Sequence, residues 1–340
     1  MLIDTSNHSV IKCSHRERRC SALSRNTATG SAETYPNRKK RFAKRFAEDK
    51  WYLAFVLPAV VLLFLFSYMP MYGLAIAFQD YTIGQPLISS TTKWVGLKQF
   101  IDFFHSVFFT RTFGNTLRLS LEMIIFGQWV PLAAALLLNE IRHSWYKRTT
   151  QTMFYLPYFV SVAIVVSIMT MLTANTGPIS MLNVMLGGKA TNYLMQPKYF
   201  DFLYVFSGIW SSFGYNSILY LAGISGVDPT LYEAATVDGA NRLHKMLHIT
   251  LPQLIPTFIT LLVLALGGVL NTSYEKVLLM YNSSTMERAD VLGTYIYRIG
   301  LIDMKYSYTA AIGLFANTIN FILVFLSNLI SNKLSGYGLW

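Results

Sequence analysis

The sequence predicts an all-α integral membrane protein, built as a bundle of six membrane-spanning helices. Of its 340 residues, 53% are hydrophobic and only 13% are charged, whereas soluble domains carry roughly 25% charged residues. The mean hydropathy is +0.38. Six stretches are apolar over about 20 residues, the length that a helix needs to cross a bilayer core of about 30 Å. This composition excludes an ordinary soluble domain and a disordered chain.

The six predicted spans alternate with short inner loops and long outer loops. The spans are expected at residues 52–78, 114–138, 150–173, 202–225, 252–272 and 308–331. Pro131 lies in the second span and Pro157 in the third. Membrane helices tolerate such prolines because neighbouring helices satisfy the freed carbonyl groups.

A basic leader is predicted to precede the membrane domain of residues 51–340. Residues 1–50 hold 12 of the 28 Lys and Arg but only 5 of the 17 Asp and Glu. No apolar segment of the signal-peptide type occurs there, so a disordered cytoplasmic leader beside an anionic membrane surface is expected. Nucleic-acid binding is the alternative, and no groove-reading motif supports it. Cys13 and Cys20 are expected to be reduced thiols, because the leader is cytoplasmic.

The distribution of positive charge predicts the orientation. With the N-terminus in the cytoplasm, the inner segments hold 18 Lys and Arg and the outer loops hold 9. Cytoplasmic segments of membrane proteins are enriched in Lys and Arg. Both termini are therefore predicted to lie in the cytoplasm.

The second inner loop, residues 226–251, has the signals of a helix, a turn and a second helix. Asp228 can cap a helix, and Pro229 suits the first helical position. Gly239 is expected to end this helix, and a second short helix to run to about His248. The product is a compact knob at the membrane surface, which suits docking better than catalysis.

The same loop resembles the EAA loop of ABC importer permeases. That pattern reads Glu-Ala-Ala, three residues, Gly, nine residues, Ile, one residue, Leu-Pro. The matching positions are Glu233, Ala234, Ala235, Gly239, Ile249, Leu251 and Pro252. The small alanine side chains let the backbone of another protein approach closely. The resemblance implies a binding-protein-dependent importer permease of the MetI-like type, with a cytoplasmic coupling helix. It also implies a location in the inner membrane of a prokaryotic cell.

Further stretches resemble the carbohydrate branch of this family. The segment from Trp210 through Tyr215 to the loop is similar to maltose-type permeases. Other stretches are similar to polysaccharide and oligosaccharide permeases of the LplB type, which include alginate and pectin-fragment importers. These are residues 68–73, 156–161, 294–300 and 338–340. The resemblance covers nearly all of residues 50–340 and implies an oligosaccharide or polysaccharide substrate.

The resemblance also implies the partners. A dimer of cytoplasmic ATPases grips the coupling helices of two permeases, so a second six-span permease completes a heterodimer, and an extracytoplasmic binding protein delivers the saccharide. No G-x-x-x-x-G-K-[ST] motif occurs in this chain, so ATP and Mg²⁺ belong to the ATPases and this chain is not an enzyme. The expected coupling residues, none of them catalytic, are Glu233, Ala234, Ala235, Asp238 and Gly239.

Polar residues in the fourth and fifth spans are the candidates for the substrate path. Polar groups deep in a membrane are costly and often functional. The candidates are Trp210, Ser211, Ser212, Tyr215, Asn216, Asn271, Thr272 and Ser273. Resemblance to the maltose-type permeases favours Tyr215, Ser212 and Asn271. Hydrogen bonding between helices is the competing explanation.

Two pairs of polar residues at helical spacing receive structural interpretations. Arg118 and Glu122 are expected to pair near the outer interface. His244 and His248 are expected on a solvated basic face, because no third metal ligand accompanies them.

Two other classes of protein remain as alternatives to the importer permease. An ATP-independent secondary transporter or channel would usually place more ionisable residues deep in its spans, and it leaves the EAA loop without a role. A membrane-embedded enzyme would need paired carboxylates, a histidine cluster or an activated nucleophile, and the spans offer none of these.

Overall fold

The computed structural model describes residues 50–87 and 92–335, which form helices and turns without any β-strand. The predicted leader lies outside the described residues except for Lys50, as does the segment 338–340, so both interpretations stay predictions. The chain divides into two compact units, residues 1–65 and 66–340. All sites considered below lie in the second unit.

Fourteen α-helices occur in the described part of the chain. In order, α1 to α14 span Lys50–Leu63, Lys98–Phe104, Val107–Asn139, Ser144–Tyr155, Val162–Thr173, Pro178–Met185, Pro197–Ser225, Pro229–Val237, Arg242–Lys245, Leu251–Leu266, Tyr274–Met280, Met286–Ala289, Leu292–Tyr297 and Tyr306–Ser335. Short π-helical and 3-10 turns join several of them. These include Phe64–Tyr68 and Met69–Phe78 after α1, and Met246–Thr250 before α10.

Five helical stretches among the described residues are long and apolar enough to cross a membrane. They are Lys50–Phe78, Val107–Asn139, Val162–Met185, Arg242–Leu266 and Tyr306–Lys333. The predicted fourth span corresponds to α7, which has 29 residues. At 1.5 Å per residue α7 is long enough to cross the bilayer core. Its serine, tyrosine and asparagine residues keep it below the hydropathy of the other five.

The predicted third span is divided in the structure. Helix α4 ends at Tyr155, and a 3-10 turn begins with Leu156 and Pro157. The Oγ atom of Ser161 then accepts a hydrogen bond from the backbone nitrogen of Ile164, at 3.4 Å, and starts α5. The prediction of one continuous helix over 150–173 was wrong, because the proline turn and the serine cap together separate two helices.

The predicted fifth span begins earlier and ends earlier than expected. Helix α9 continues through a π-helical turn into α10, so the second short helix of the inner loop does not stop at His248. Helix α10 ends at Leu266, before Gly267 and Gly268. Asn271 and Thr272 consequently lie in an irregular segment between α10 and α11, where their backbone is not constrained by a helix.

The packing of the second unit centres on the long helices α3 and α7. One buried cluster joins them to α5 and α11 through Leu119, Val166, Phe200 and Val277. A second cluster, around Tyr220, packs α7 against α10 and the inner end of α3. These contacts fix α7 in the bundle. One end of α7 leads into the loop 226–251, and the other end carries Asp201, which belongs to a polar cluster.

The polar cluster at the outer end corrects the predicted Arg118–Glu122 pair. Arg118 on α3 instead pairs with Asp201 on α7, at 3.1 Å, and Asp201 also binds Arg288 on α12, at 2.6 Å. Sequence spacing could suggest only a partner on the same helix. The buried carboxylate of Asp201 is a stronger partner because it lies away from water and binds two guanidinium groups.

Candidate functional site

The inner loop contains the helix that the sequence predicted. The Oδ1 atom of Asp228 accepts a hydrogen bond from the backbone nitrogen of Thr230, at 2.9 Å, and Pro229 occupies the first position of α8. Hydrogen bonding from Thr230 stabilises the carboxylate form of Asp228 and lowers the pKa of this carboxyl group. The N-terminus of α8 is therefore satisfied within the loop, as expected for an Asp-Pro start.

A glycine turn ends α8. Gly239 has φ +77, a left-handed conformation that L side chains rarely adopt. The backbone nitrogen of Gly239 donates to Thr236 O at 3.1 Å, and that of Ala240 donates to Ala235 O at 2.9 Å. This pair of bonds is a Schellman motif, the helix ending that glycine favours. Asn241 then caps α9 by accepting a bond from His244 N, at 2.8 Å.

The predicted coupling residues form one exposed surface. Glu233, Ala234, Asp238 and Gly239 are exposed, and Ala235 is half-buried. The neighbouring Val237 leaves 89% of its side chain uncovered. The surface thus combines small side chains, an exposed valine and two carboxylates, and another protein could approach it closely.

The rear of α8 is tied to the segment that leads into α10. The hydroxyl of Tyr232 lies 2.9 Å from Oγ1 of Thr250, and the Nζ atom of Lys245 donates to Oγ1 of Thr236 at 2.7 Å. Thr250 is buried directly before α10. Two side-chain contacts therefore join α8 to the segment before α10, in addition to the backbone.

His244 and His248 lie on the exposed side of this segment. Their rings stack with centroids 4.8 Å apart, and both residues are exposed. Within the described residues there is no group of three or more His, Cys, Asp or Glu that could hold a metal ion.

Five of the eight predicted path residues meet in one cavity. Ser212, Asn271 and Thr272 line a space of about 320 Å³ between α3, α5, α7 and the segment after α10. The predicted Ser211 and Ser273 also line it, and so does Lys276. Ser120 contributes a hydroxyl that lies 2.7 Å from Oγ1 of Thr272. Hydroxyl and amide groups around a small cavity suit a polar ligand such as a sugar.

The other predicted path residues lie elsewhere. The ring of Tyr215 stacks on Tyr158, with centroids 3.9 Å apart and planes 6° from parallel. Asn216 lines a separate cavity of about 110 Å³ with Gln128 and Tyr220. Trp210 is exposed and lines neither cavity. The one-dimensional order of these residues along α7 could not show which side of the helix each of them occupies.

Lys276 is the charged residue of this cavity, and the sequence reasoning missed it, as it missed Ser120. It lies on α11 with Val277 and Met280, and these three residues form the buried side of that helix. The signal was present, because positions 276, 277 and 280 follow helical spacing and a lysine shares that side with apolar residues. Tyr158 was missed as well, since its partner lies on another helix.

The long apolar helices place the chain in the class of multi-pass membrane proteins. The family model described as the binding-protein-dependent transport system inner membrane component matches residues 127–336. The chain belongs to this family.

Known proteins similar to the chain include two permease-type relatives from Bacillus subtilis (strain 168). The polygalacturonan/rhamnogalacturonan transport system permease protein YteP is 40% identical over 89% of this chain and 94% of its own length. Protein LplB is 41% identical over 86% of this chain and 92% of its own length. The similarity therefore extends over nearly the whole membrane domain.

Solved structures with the same fold belong to alginate transport. A chain from a bacterial ABC transporter involved in the import of the acidic polysaccharide alginate is 37% identical, with a TM-score of 0.79, and the match covers 87% of this chain and 99% of that one. A chain from a bacterial alginate ABC transporter in complex with an alginate pentasaccharide-bound periplasmic protein is 36% identical, with a TM-score of 0.80 and coverage of 88% and 100%. The predicted MetI-like fold is confirmed.

Proposed function

We propose that this chain is one of two permease subunits of an ABC importer that carries an oligosaccharide or polysaccharide. The observation that carries the proposal is the exposed α8 surface between the fourth and fifth spans. Its Schellman turn and its ties to α10 are what a coupling element needs. The names of the relatives support the substrate class, because they concern pectic polysaccharides and alginate.

The coupling loop gives the mechanism a physical form. A dimer of ATPases binds ATP and Mg²⁺ in the cytoplasm and holds α8 through Glu233. Closure of that dimer moves α8, and the bonds from Tyr232 and Lys245 pass the movement to α10. The permease pair then exchanges between an inward-open and an outward-open state, a two-state equilibrium biased by nucleotide. Both termini lie in the cytoplasm in this proposal.

The first test is to purify the tagged chain from its native host in mild detergent and identify the associated proteins. A second six-span permease and an ATPase are expected. An ATP-independent transporter would come alone or as a homo-oligomer, and that result would overturn the importer proposal.

A matched pair of substitutions tests the docking surface. Glu233→Ala should reduce the amount of co-purified ATPase at least about tenfold, since it removes a charged contact from the docking surface. Glu287→Ala is the control, because Glu287 is equally acidic and exposed but lies in the outer loop. Equal ATPase recovery in the two variants would contradict the assigned role of Glu233.

A further inference from the structure

Lys276 is a buried lysine whose amino group has few hydrogen-bond partners. It is 7% exposed. Its Nζ atom donates to the backbone oxygen of Tyr204 at 2.6 Å and lies 4.5 Å from the centroid of the Tyr204 ring. An ammonium group has three hydrogens to donate. One carbonyl and one aromatic face therefore leave capacity for a further acceptor.

No acidic side chain balances this charge. Among the described residues, no carboxylate oxygen lies within 4.0 Å of the Nζ atom of Lys276, although five other ion pairs occur there. Burial without a counter-ion lowers the pKa of Lys276 to about 7. At that pKa the side chain carries only part of its charge near neutral pH, and an anion placed beside it would favour the protonated ammonium.

The ammonium group lies at the wall of the cavity that holds Ser212, Asn271 and Thr272. Gly208 lines the same cavity, and a Cβ atom built on Gly208 would lie 2.9 Å from Nζ of Lys276. The missing side chain of Gly208 is thus the space into which the ammonium projects. Lysine, hydroxyl groups and an amide line this cavity together with apolar side chains such as Met123 and Val162.

The cavity offers two kinds of interaction to a saccharide, hydrogen bonding to hydroxyl groups and binding of a carboxylate. Hydroxyl and amide groups bind the hydroxyls of any sugar, charged or neutral. A buried ammonium gains most from a carboxylate, because a charge-assisted hydrogen bond is roughly twice as strong as a neutral one. The charge therefore adds a preference that a neutral saccharide cannot use.

We infer that Lys276 binds the carboxylate of an acidic saccharide in this cavity and selects uronate-containing oligosaccharides over neutral ones. The inference rests on the proposed importer function and names the substrate class for the same path. Ser212, Asn271 and Thr272 form hydrogen bonds with the sugar hydroxyls, while the ammonium group of Lys276 binds the carboxylate.

The test is a comparison of uptake rates in proteoliposomes that contain the whole importer with its native binding protein. The probes are tetragalacturonate, an alginate tetrasaccharide, the methyl ester and the carboxyl-reduced form of each, and a neutral arabino-oligosaccharide. A sugar phosphate is added to distinguish a carboxylate site from a phosphate site. The readout is the ratio of acidic to carboxyl-reduced uptake within one preparation, which does not depend on the yield of assembled transporter.

The wild-type importer should take up an acidic oligosaccharide and discriminate against its ester and reduced form. Lys276→Met should lower the ratio at least about tenfold, the effect of one charge-assisted bond. Lys276→Arg should keep most of the preference, because it keeps the charge.

Other outcomes separate the two proposals. If the importer takes up only neutral oligosaccharides, or only the sugar phosphate, the carboxylate inference is overturned. The importer proposal stands in either case. The carboxylate inference also fails if Lys276→Met retains the wild-type ratio, or if wild type accepts the methyl ester as fast as the acid. If none of the tested saccharides is taken up in an ATP-dependent way, the saccharide-importer proposal itself is overturned. If Lys276→Met fails to assemble, the ester comparison on wild type decides.

Discussion

At the scale of the residue, Gly239 is the position whose conformation shapes the docking surface. Its φ of +77 brings the backbone of Gly239 and Ala240 onto the last carbonyls of α8. Nothing lies within 4 Å of a Cβ atom built there. The requirement for glycine is therefore conformational, not a matter of space.

Gly239→Ala should weaken the turn by about 1 kcal/mol, the cost of placing an L residue in a left-handed conformation. The strain falls on the Schellman bonds, so ATPase-coupled uptake should decrease several-fold while the protein still reaches the membrane. Coupled ATP hydrolysis in proteoliposomes is the measurement.

Gly96→Ala provides the matched control for this substitution. Gly96 also has a positive φ, +59, and open space around its Cβ position, but it lies in the first outer loop. Its replacement should cost similar stability and leave coupling unchanged. Equal loss of coupling in both variants would show that general destabilisation, not the loop, is responsible.

At the scale of the element, two buried carboxylates fasten the helices around the outer end of the bundle. Asp201 joins α7 to Arg118 on α3 and to Arg288 on α12. Asp290, which is fully buried, binds Arg111 on α3 and Arg298, at 3.1 and 2.8 Å. Each carboxylate thus connects α3 to the outer loop that carries α12 and α13.

Asp201→Asn should lower the stability of the protein by about 3 kcal/mol, because it leaves two guanidinium groups without their shared counter-ion. A loss of this size should lower the thermal midpoint in detergent by at least about 5 °C.

The control for the ion-pair cluster is Asp80→Asn. Asp80 pairs with Lys93 at 3.7 Å, and both side chains are mostly exposed. Exposed pairs of this kind contribute about 0–1 kcal/mol, so the midpoint should hardly move. If Asp201→Asn has a thermal midpoint as high as that of Asp80→Asn, the ion pairs of Asp201 do not stabilise the protein.

At the scale of the whole molecule, the importer proposal requires the central cavity to change its accessibility with nucleotide. Ser212 lines this cavity on α7, and its Oγ donates to the backbone oxygen of Gly208 at 2.8 Å. Val237 lies on the exposed docking surface of α8. One residue is expected to report the transport cycle, and the other only the cytoplasmic side.

Cysteine labelling tests this expectation after Cys13 and Cys20 are replaced with serine. In inside-out vesicles, a membrane-impermeant maleimide should label Ser212→Cys at least about fivefold faster in one nucleotide state than in the other. Val237→Cys should label in the absence of the ATPase and become protected when the ATPase binds. A labelling rate for Ser212→Cys that ignores nucleotide would contradict alternating access through this cavity.

The first helix of the inner loop was predictable from sequence, together with its cap and its ending, whereas the end predicted for the second helix at His248 was wrong. Asp228, Pro229 and Gly239 act through their own backbone and their near neighbours, so short-range rules describe them. For the substrate path, the sequence predicted a group of polar candidates but not which of them share a cavity. Ser212, Asn271 and Thr272 converge because α10 stops at Leu266 and the chain then turns towards α7, and no local pattern reveals that approach.

The sequence by itself determined the membrane class, the six apolar segments and the helix–turn–helix of the docking loop. These properties depend on composition and on residues a few positions apart. The tertiary structure alone decided which polar groups meet: Arg118 with Asp201 instead of Glu122, Tyr215 with Tyr158, and Lys276 with the hydroxyl-lined cavity. The physical reason is that burial and charge compensation are set by helices far apart in the chain, which a linear pattern does not relate.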